Sequence, residues 1–209
     1  MTLGCIYLAG PDVFLPNALD QAAAKIALCR DYGFDAVFPI DPSLDISGKT
    51  PFEAAMAISA FNEDAMRRCD LIIANATPFR GPSIDPGTAY EIGFMRALGG
   101  RAIYAYANVG GTYRDRVAAD LGVPLHQDDA GRWVDPDGLA VEDFGLEDNL
   151  MIVGAVEATG GTFVTRTVAT DRLLTDLTAF EDCLKAARNQ AEDRSSAGGA
   201  GYRVAAAAG

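Results

Sequence analysis

The sequence predicts an α/β fold built on a parallel sheet with helices on both faces, and three observations carry that expectation. Strand-like apolar runs alternate with helix-patterned stretches along most of the chain. Runs such as Ile6-Tyr-Leu-Ala9 and Leu71-Ile-Ile-Ala74 are almost continuously apolar, as strands covered on both faces require. With 209 residues, 49% of them hydrophobic, the chain is long enough for one domain with a sizeable core.

The elements follow in order. Cys5 to Ala9 is a first strand that enters a turn through Gly10 and Asp12. Asn17 caps a helix carrying Ala23, Ile26, Ala27 and Arg30, with Gly33 placed to close it. Asp35 to Pro39 is a short second strand, followed by an aperiodic loop from Ile40 to Lys49. Thr50-Pro51-Phe52-Glu53 is a capping box with proline at the first helical position, opening a helix to about Arg68. Asp70 to Asn75 is the third strand, with Asp70 at its entry. Asp85 then caps a helix to about Gly99, and Arg101 to Ala107 is the fourth strand. Tyr113 to Leu121 reads as a short helix, and turns around Trp133 make a small hairpin of Leu125 to Asp137. Helical spacing resumes over Leu146 to Ala158 and stops at Gly160-Gly161. Thr162 to Thr167 is a fifth, β-branched strand, and Asp171 to about Arg188 closes the domain as a helix. The domain is expected to span 1–189, and 190–209, rich in Ser, Gly and Ala, reads as a tail without a core of its own.

Composition removes several function classes. A net charge of −12 disfavours a nucleic-acid polymer as partner, because phosphate neutralisation needs a basic face. No apolar run approaches the roughly eighteen residues of a membrane span, so no membrane association is expected. Met1-Thr2-Leu3 enters the first strand without a basic segment and apolar core before it, so a cytoplasmic location is expected. The four cysteines lack a Cys-x-x-Cys pair and lie beside apolar residues, which predicts reduced core thiols. A single histidine, His126, leaves no two-histidine metal site, so no metal is expected. Ala9-Gly10-Pro11 lacks the later glycines of a dinucleotide turn, and no phosphate-binding loop with Gly-Lys-Ser/Thr occurs, so no cofactor is expected either.

The most informative stretch is Gly81-Pro-Ser-Ile-Asp85-Pro-Gly-Thr-Ala-Tyr-Glu91-Ile-Gly-Phe94. It places two carboxylates six residues apart across a loop-to-helix junction. Asp85 suits the cap and Glu91 falls about a turn and a half into a half-buried helix, where an acid needs a reason. Ligands of open parallel sheets bind outside the carboxyl ends of the strands. Tyr7 to Asp12, Asn75 to Asp85 and Asn108 to Tyr113 are therefore expected around one crevice, with Asp85 and Glu91 at its lip. Carboxylates and a tyrosine without a metal suit cleavage of a glycosidic bond, in which a carboxylate traps an oxocarbenium-like sugar. Phosphoryl transfer would want Mg²⁺ ligands and a basic clamp.

Four strings, Ile6-Tyr-Leu-Ala-Gly-Pro11, Cys69-Asp-Leu-Ile-Ile-Ala-Asn75, Asp85-Pro-Gly-Thr-Ala-Tyr-Glu-Ile-Gly-Phe-Met-Arg-Ala97 and Asp143-Phe-Gly-Leu-Glu-Asp-Asn-Leu-Met151, together resemble the nucleoside 2-deoxyribosyltransferase family over about residues 4 to 185. The resemblance implies a flavodoxin-like or Rossmann-like three-layer sandwich with a five-stranded parallel sheet, working as a homo-oligomer on nucleosides and free nucleobases in nucleoside salvage. It implies that Glu91 attacks C1′ of a 2′-deoxynucleoside, that Tyr7 orients its carboxylate, and that Asp85 hydrogen-bonds sugar hydroxyls. Asn149 and Met151 would reach the site of a neighbouring subunit. Asn62 and Asp64 would contact the base, and Gly10 and Asp12 would line the substrate turn, with Asp12 assisting the leaving base. Phe14, Phe38 and Phe79 are candidates to stack on a base, none singled out.

Two other readings stay open. Arg80 and Ser83 keep alive a hydrolase acting on nucleosides or their 5′-monophosphates, although Asp85 would repel a phosphate dianion. A nucleotide-sensing module would keep the crevice and not need a carboxylate at Glu91.

Overall fold

In a computed structural model of the chain, which describes residues 2–40 and 44–196, strands β1 (Cys5–Ala9), β2 (Asp35–Val37), β3 (Leu71–Asn75), β4 (Ala102–Ala107) and β7 (Phe163–Thr165) form one parallel sheet in the order β2-β1-β3-β4-β7. A two-residue antiparallel pair, β5 (His126–Gln127) with β6 (Trp133–Val134), is the expected hairpin. The chain leaves β1 toward β2 on one side and returns to β3 on the other, so β1 and β3 flank a topological switch point.

Strand parity divides the core into two layers. Ile6 and Leu8 of β1, Leu71 and Ile73 of β3, and Tyr104 and Tyr106 of β4 pack under helices α1 (Ala18–Asp31) and α6 (Thr178–Ser196). Tyr7, Ala9, Ile72, Ala74, Ile103 and Ala105 face the other way, under α2 (Pro51–Arg68), α3 (Pro86–Leu98) and α5 (Leu150–Glu157). The remaining helix, α4 (Tyr113–Leu121), stands outside these layers and begins with its own capping box on Thr112 and Asp115. Tyr7 therefore lies on the same side of the sheet as α3, a consequence of its odd position in β1.

Local sequence sets most helix starts. The Thr50 hydroxyl accepts from the Glu53 amide while the Glu53 carboxylate accepts from the Thr50 amide, with Pro51 next in line. Asp85 accepts from the Thr88 amide at 3.1 Å, again followed by proline. Asp70 at the β3 entry accepts from the Cys5 amide and ties β3 to β1. Cys29, Cys69 and Cys183 are buried, Cys5 is half-buried, and all four are free thiols.

Strands β2 and β7 are shorter than expected, and three helix boundaries differ from expectation, each of the three for a long-range reason. α5 begins at Leu150, not Leu146, because the preceding backbone is committed elsewhere. The Leu146 carbonyl accepts from the Tyr113 amide, and the Glu147 carbonyl accepts from the Arg116 guanidinium. α6 begins at Thr178, not Asp171, because Asn108 donates to the carbonyls of Leu173 and Asp176 and removes them from a helical ladder. The stretch before it holds only a short 3₁₀ turn, Thr170–Arg172. At its other end α6 continues to Ser196, past the expected boundary at 189. Ala191 is buried against the sheet, and the Gln190 side chain accepts from Tyr104 and donates to the Gly160 carbonyl. The rest of the expected tail, 197–209, lies outside the described residues.

One glycine is fixed by close approach rather than by conformation. A Cβ on Gly161 would stand 1.8 Å from the Ile103 carbonyl oxygen, so only glycine lets the chain enter β7 against β4. Among the described residues no helix is long and apolar enough to cross a membrane.

Candidate active site

Glu91 sits on the face of α3 that turns toward the sheet, one position before the buried Ile92. The fully buried Tyr7 rises from β1 and its hydroxyl donates to Glu91 Oε1 at 2.6 Å. Burial pushes the Glu91 carboxyl up to about 7; the Tyr7 hydrogen bond pulls the other way, and the nearby Asp85 charge adds to the rise. The Tyr7 phenol is raised far beyond its ordinary range, first by burial and then by the Glu91 charge, so it stays protonated and remains a donor. Among the described residues Glu91 Oε2 thus has no hydrogen-bond partner, and burial favours the neutral form of the acid well above the ordinary carboxylate range.

Beside it opens a cavity of about 360 Å³ between α2 and α3. One helical face of α2, comprising Ala55, Ile58, Ser59, Asn62, Glu63 and Met66, forms one wall, and Gly87, Tyr90 and Glu91 of α3 form the other. The Glu63 carboxylate accepts from the Tyr90 hydroxyl at 2.6 Å and from Arg67 at 2.9 Å, which holds it below the usual carboxylate range. Such a site, mostly apolar with a few convergent polar groups and a raised acid at one end, has the character of a small-molecule pocket. Among the described residues no group of three or more His, Cys, Asp or Glu is arranged to hold a metal ion.

The other residues singled out in the sequence divide. Asp85 Oδ2 is engaged by the helix cap, and its charge is felt at Glu91. Asn62 lines the cavity, and its side-chain oxygen is buried without a partner. Asp64 does not join it. Two residues further along α2 its side chain is 64% exposed and paired with Arg67, because the helical period turns it to the outer face.

Asp12 also departs from expectation. It is buried and forms an ion pair with the buried Lys25 at 2.8 Å, and its Oδ2 accepts from Asn75 at 3.1 Å. Lys25 in turn lies over the rings of Tyr106 and Phe180 on the opposite layer of the core. Asp12 therefore does not line the cavity with Glu91; the ion pair fixes the turn. Gly10 makes that possible, with φ 145° and no room for a side chain, since a Cβ would meet Asp12 Oδ2 at 2.5 Å and Asn75 Cβ at 2.6 Å.

Asn149 caps α5, accepting from the Met151 amide, and its amide nitrogen donates to Glu142. Neither Asn149 nor Met151 lines the Glu91 cavity of its own chain, and Met151 is 71% exposed. Phe38 is buried in the core. Phe14 and Phe79 stack on each other at 5.3 Å beneath the Arg80 guanidinium. The Ser83 hydroxyl donates to Asp148, which also pairs with Arg116, so the loop before Asp85 is tied to the loop before α5. Glu63 and Tyr90 were not singled out in the sequence. The signal for Glu63 was its place in the 55, 59, 62, 63, 66 register of α2, and Tyr90 adjoins Glu91.

The chain is similar to known proteins over most of its length. Residues 6–151 match the family model described as nucleoside 2-deoxyribosyltransferase. A 2-desoxiribosyltransferase from Leishmania mexicana has a similar structure, with a TM-score of 0.58 and 27% identity, covering 87% of this chain and 97% of that one. An uncharacterized protein of Schizosaccharomyces pombe is 32% identical over 167 residues, 75% of this chain and 79% of that one.

Proposed function

The chain belongs to the nucleoside 2-deoxyribosyltransferase family, and on that premise we propose that it moves a 2-deoxyribosyl group between nucleobases through a covalent ester on Glu91, a reaction of nucleoside salvage. The observation that carries this reading is a Glu91 carboxylate that is fixed through one oxygen by a protonated phenol at 2.6 Å and that lines a cavity large enough for a nucleoside. Glu91 Oε2 attacks C1′, the N-glycosidic bond breaks, and its electron pair leaves with the base, which takes up a proton. A second base then attacks C1′ through a ring nitrogen, that nitrogen gives up its proton to solvent, and the carboxylate departs. Tyr7 fixes one oxygen of Glu91 so that the other meets C1′ in one orientation. Asp85 Oδ1, left over from the helix cap, accepts from a sugar hydroxyl.

Asn149 and Met151 complete the site of a neighbouring copy in a homo-oligomer. Their position supports this, since both are presented at the start of α5 outside their own chain's cavity. Water in place of the second base would give hydrolysis from the same ester, so the acceptor alone separates the two outcomes. The 5′-monophosphate reading gains little, because the Ser83 hydroxyl is engaged by Asp148 and the Arg80 guanidinium is stacked on two rings.

Incubation with deoxyinosine and free adenine, followed by chromatography, tests the proposal. Deoxyadenosine with hypoxanthine is the expected result. Free deoxyribose without deoxyadenosine means hydrolysis, and no turnover of any nucleoside or nucleoside 5′-monophosphate overturns the reading in favour of sensing.

A further inference from the structure

A buried ion pair outside the cavity braces the loop that leads into Asp85. Arg116 on α4 and Asp148 before α5 meet at 3.1 Å, and their side chains are 8% and 0% exposed. Arg116 Nε donates to the Pro82 carbonyl at 2.9 Å, and its Nη2 donates to the Glu147 carbonyl. Asp148 Oδ1 accepts from the Ser83 hydroxyl at 2.5 Å and from the Asn149 amide at 2.8 Å. The loop is thus held at two successive residues just before Asp85. Asp85 itself still has extended backbone, with ψ 133°, so the loop decides how it enters α3. Stability alone is a weak account of this cluster. A buried pair adds little over apolar side chains of the same size, and Arg116 Nη1 is buried with no partner among the described residues.

We propose that Arg116 and Asp148 are positioning residues for sugar binding, which act through Pro82 and Ser83 to set Asp85 against Glu91. The inference rests on the transfer reading, in which Glu91 meets C1′ and Asp85 accepts from a hydroxyl of the same sugar. Tyr7 fixes Glu91 from β1, and the brace fixes the approach to Asp85 from α4 and the start of α5. A small shift of the loop changes how the two acids stand to each other. A ligand that carries the sugar feels that change, and a free base does not.

The test takes Glu91→Gln as the parent, to remove turnover, and titrates it by calorimetry with deoxyinosine and with hypoxanthine. Adding Ser83→Ala removes one hydroxyl and leaves the ion pair in place. It should weaken deoxyinosine binding about tenfold, the worth of one hydrogen bond to a carboxylate, and leave hypoxanthine unchanged. Arg116→Lys keeps a cation for Asp148 but cannot reach both carbonyls, and should give the same selective loss. Ser83→Thr keeps the hydroxyl and should bind deoxyinosine as the parent does. A merely structural role would lower thermal stability and leave the ratio of the two affinities alone. An unchanged ratio in Ser83→Ala and Arg116→Lys, or no binding of either ligand, overturns the positioning inference even where transfer occurs. A selective loss for deoxyinosine with no turnover by the unaltered protein overturns the transfer reading alone.

Discussion

Two acids beside the carboxyl ends of β1 and β3, Asp12 and Glu91, are buried on different terms, one against a cation and the other against a phenol. Asp12 meets a lysine at 2.8 Å and an amide at 3.1 Å, and the lysine is itself seated over two aromatic rings. Glu91 meets a neutral phenol at 2.6 Å and feels a second carboxylate, with no cation among the described residues to balance it. An opposite charge within reach compensates an acid for leaving water. A phenol only partly does so, and the uncompensated remainder appears as a carboxyl raised to about 7. The first carboxylate is balanced by a cation; the second is not, and it lines the cavity, which is what suits it to the proposed attack.

Replacing the acid that lacks a cation should produce the largest effect. Glu91→Gln should lower the rate of base exchange by at least about a thousandfold while the far-ultraviolet spectrum is unchanged. The same change should stabilise the protein above neutral pH. The folded carboxyl titrates near 7 and an unfolded one near 4.5, so the unaltered protein loses stability as pH rises through that window and stays lower beyond it. Removing the titrating group should recover up to about 3 kcal/mol at pH 8, measured by urea denaturation. A variant that kept full activity, or lost stability, would erase the contrast.

The next effect belongs to Asp12. Lys25→Met leaves a buried carboxylate without its cation and should cost about 3–5 kcal/mol in urea denaturation at neutral pH. Adding Asp12→Asn to the same chain should restore much of that loss, because a neutral side chain needs no counter-charge. A single variant as stable as the parent would show that Asp12 is not held by the pair.

A smaller change sharpens the role of the phenol. Tyr7→Phe removes the one contact that lowers the Glu91 titration, so the acid limb of the kcat/KM profile should move to higher pH than in the parent. The rate at pH 7 should fall about 10- to 100-fold, the range of one hydrogen bond to a charged group, with partial recovery in alkaline buffer. An unshifted profile would mean that Tyr7 does not set the Glu91 charge.

Elements whose signal is local were readable in the sequence, and those that depend on distant partners were not. The capping box at Thr50 and Glu53 and the aspartate-proline start at Asp85 and Pro86 satisfy backbone groups within four residues, and both helices begin where expected. The starts of α5 and α6 were misplaced because Arg116 and Asn108 reach across 31 and 65 residues to take carbonyls that helical periodicity would have used. At the site, the pairing of Tyr7 with Glu91 was anticipated from the family resemblance, and strand parity explains it. Asp64 was expected beside Asn62 as a base contact, yet it faces outward, since the phase of α2 could not be fixed without the sheet beneath it.

The amino-acid sequence by itself determined the alternation of strands and helices, the caps that start them, and the placing of an acid six residues beyond a helix cap. Hydrophobic period and capping are properties of neighbouring residues, and they survive without the fold. Which acid is neutralised and which is left beside a cavity was decided only in three dimensions. Lys25 lies thirteen residues from Asp12 along the chain and Tyr7 lies 84 from Glu91. Charge compensation and burial depend on distances through space, which only the packed sheet and its two helix layers set.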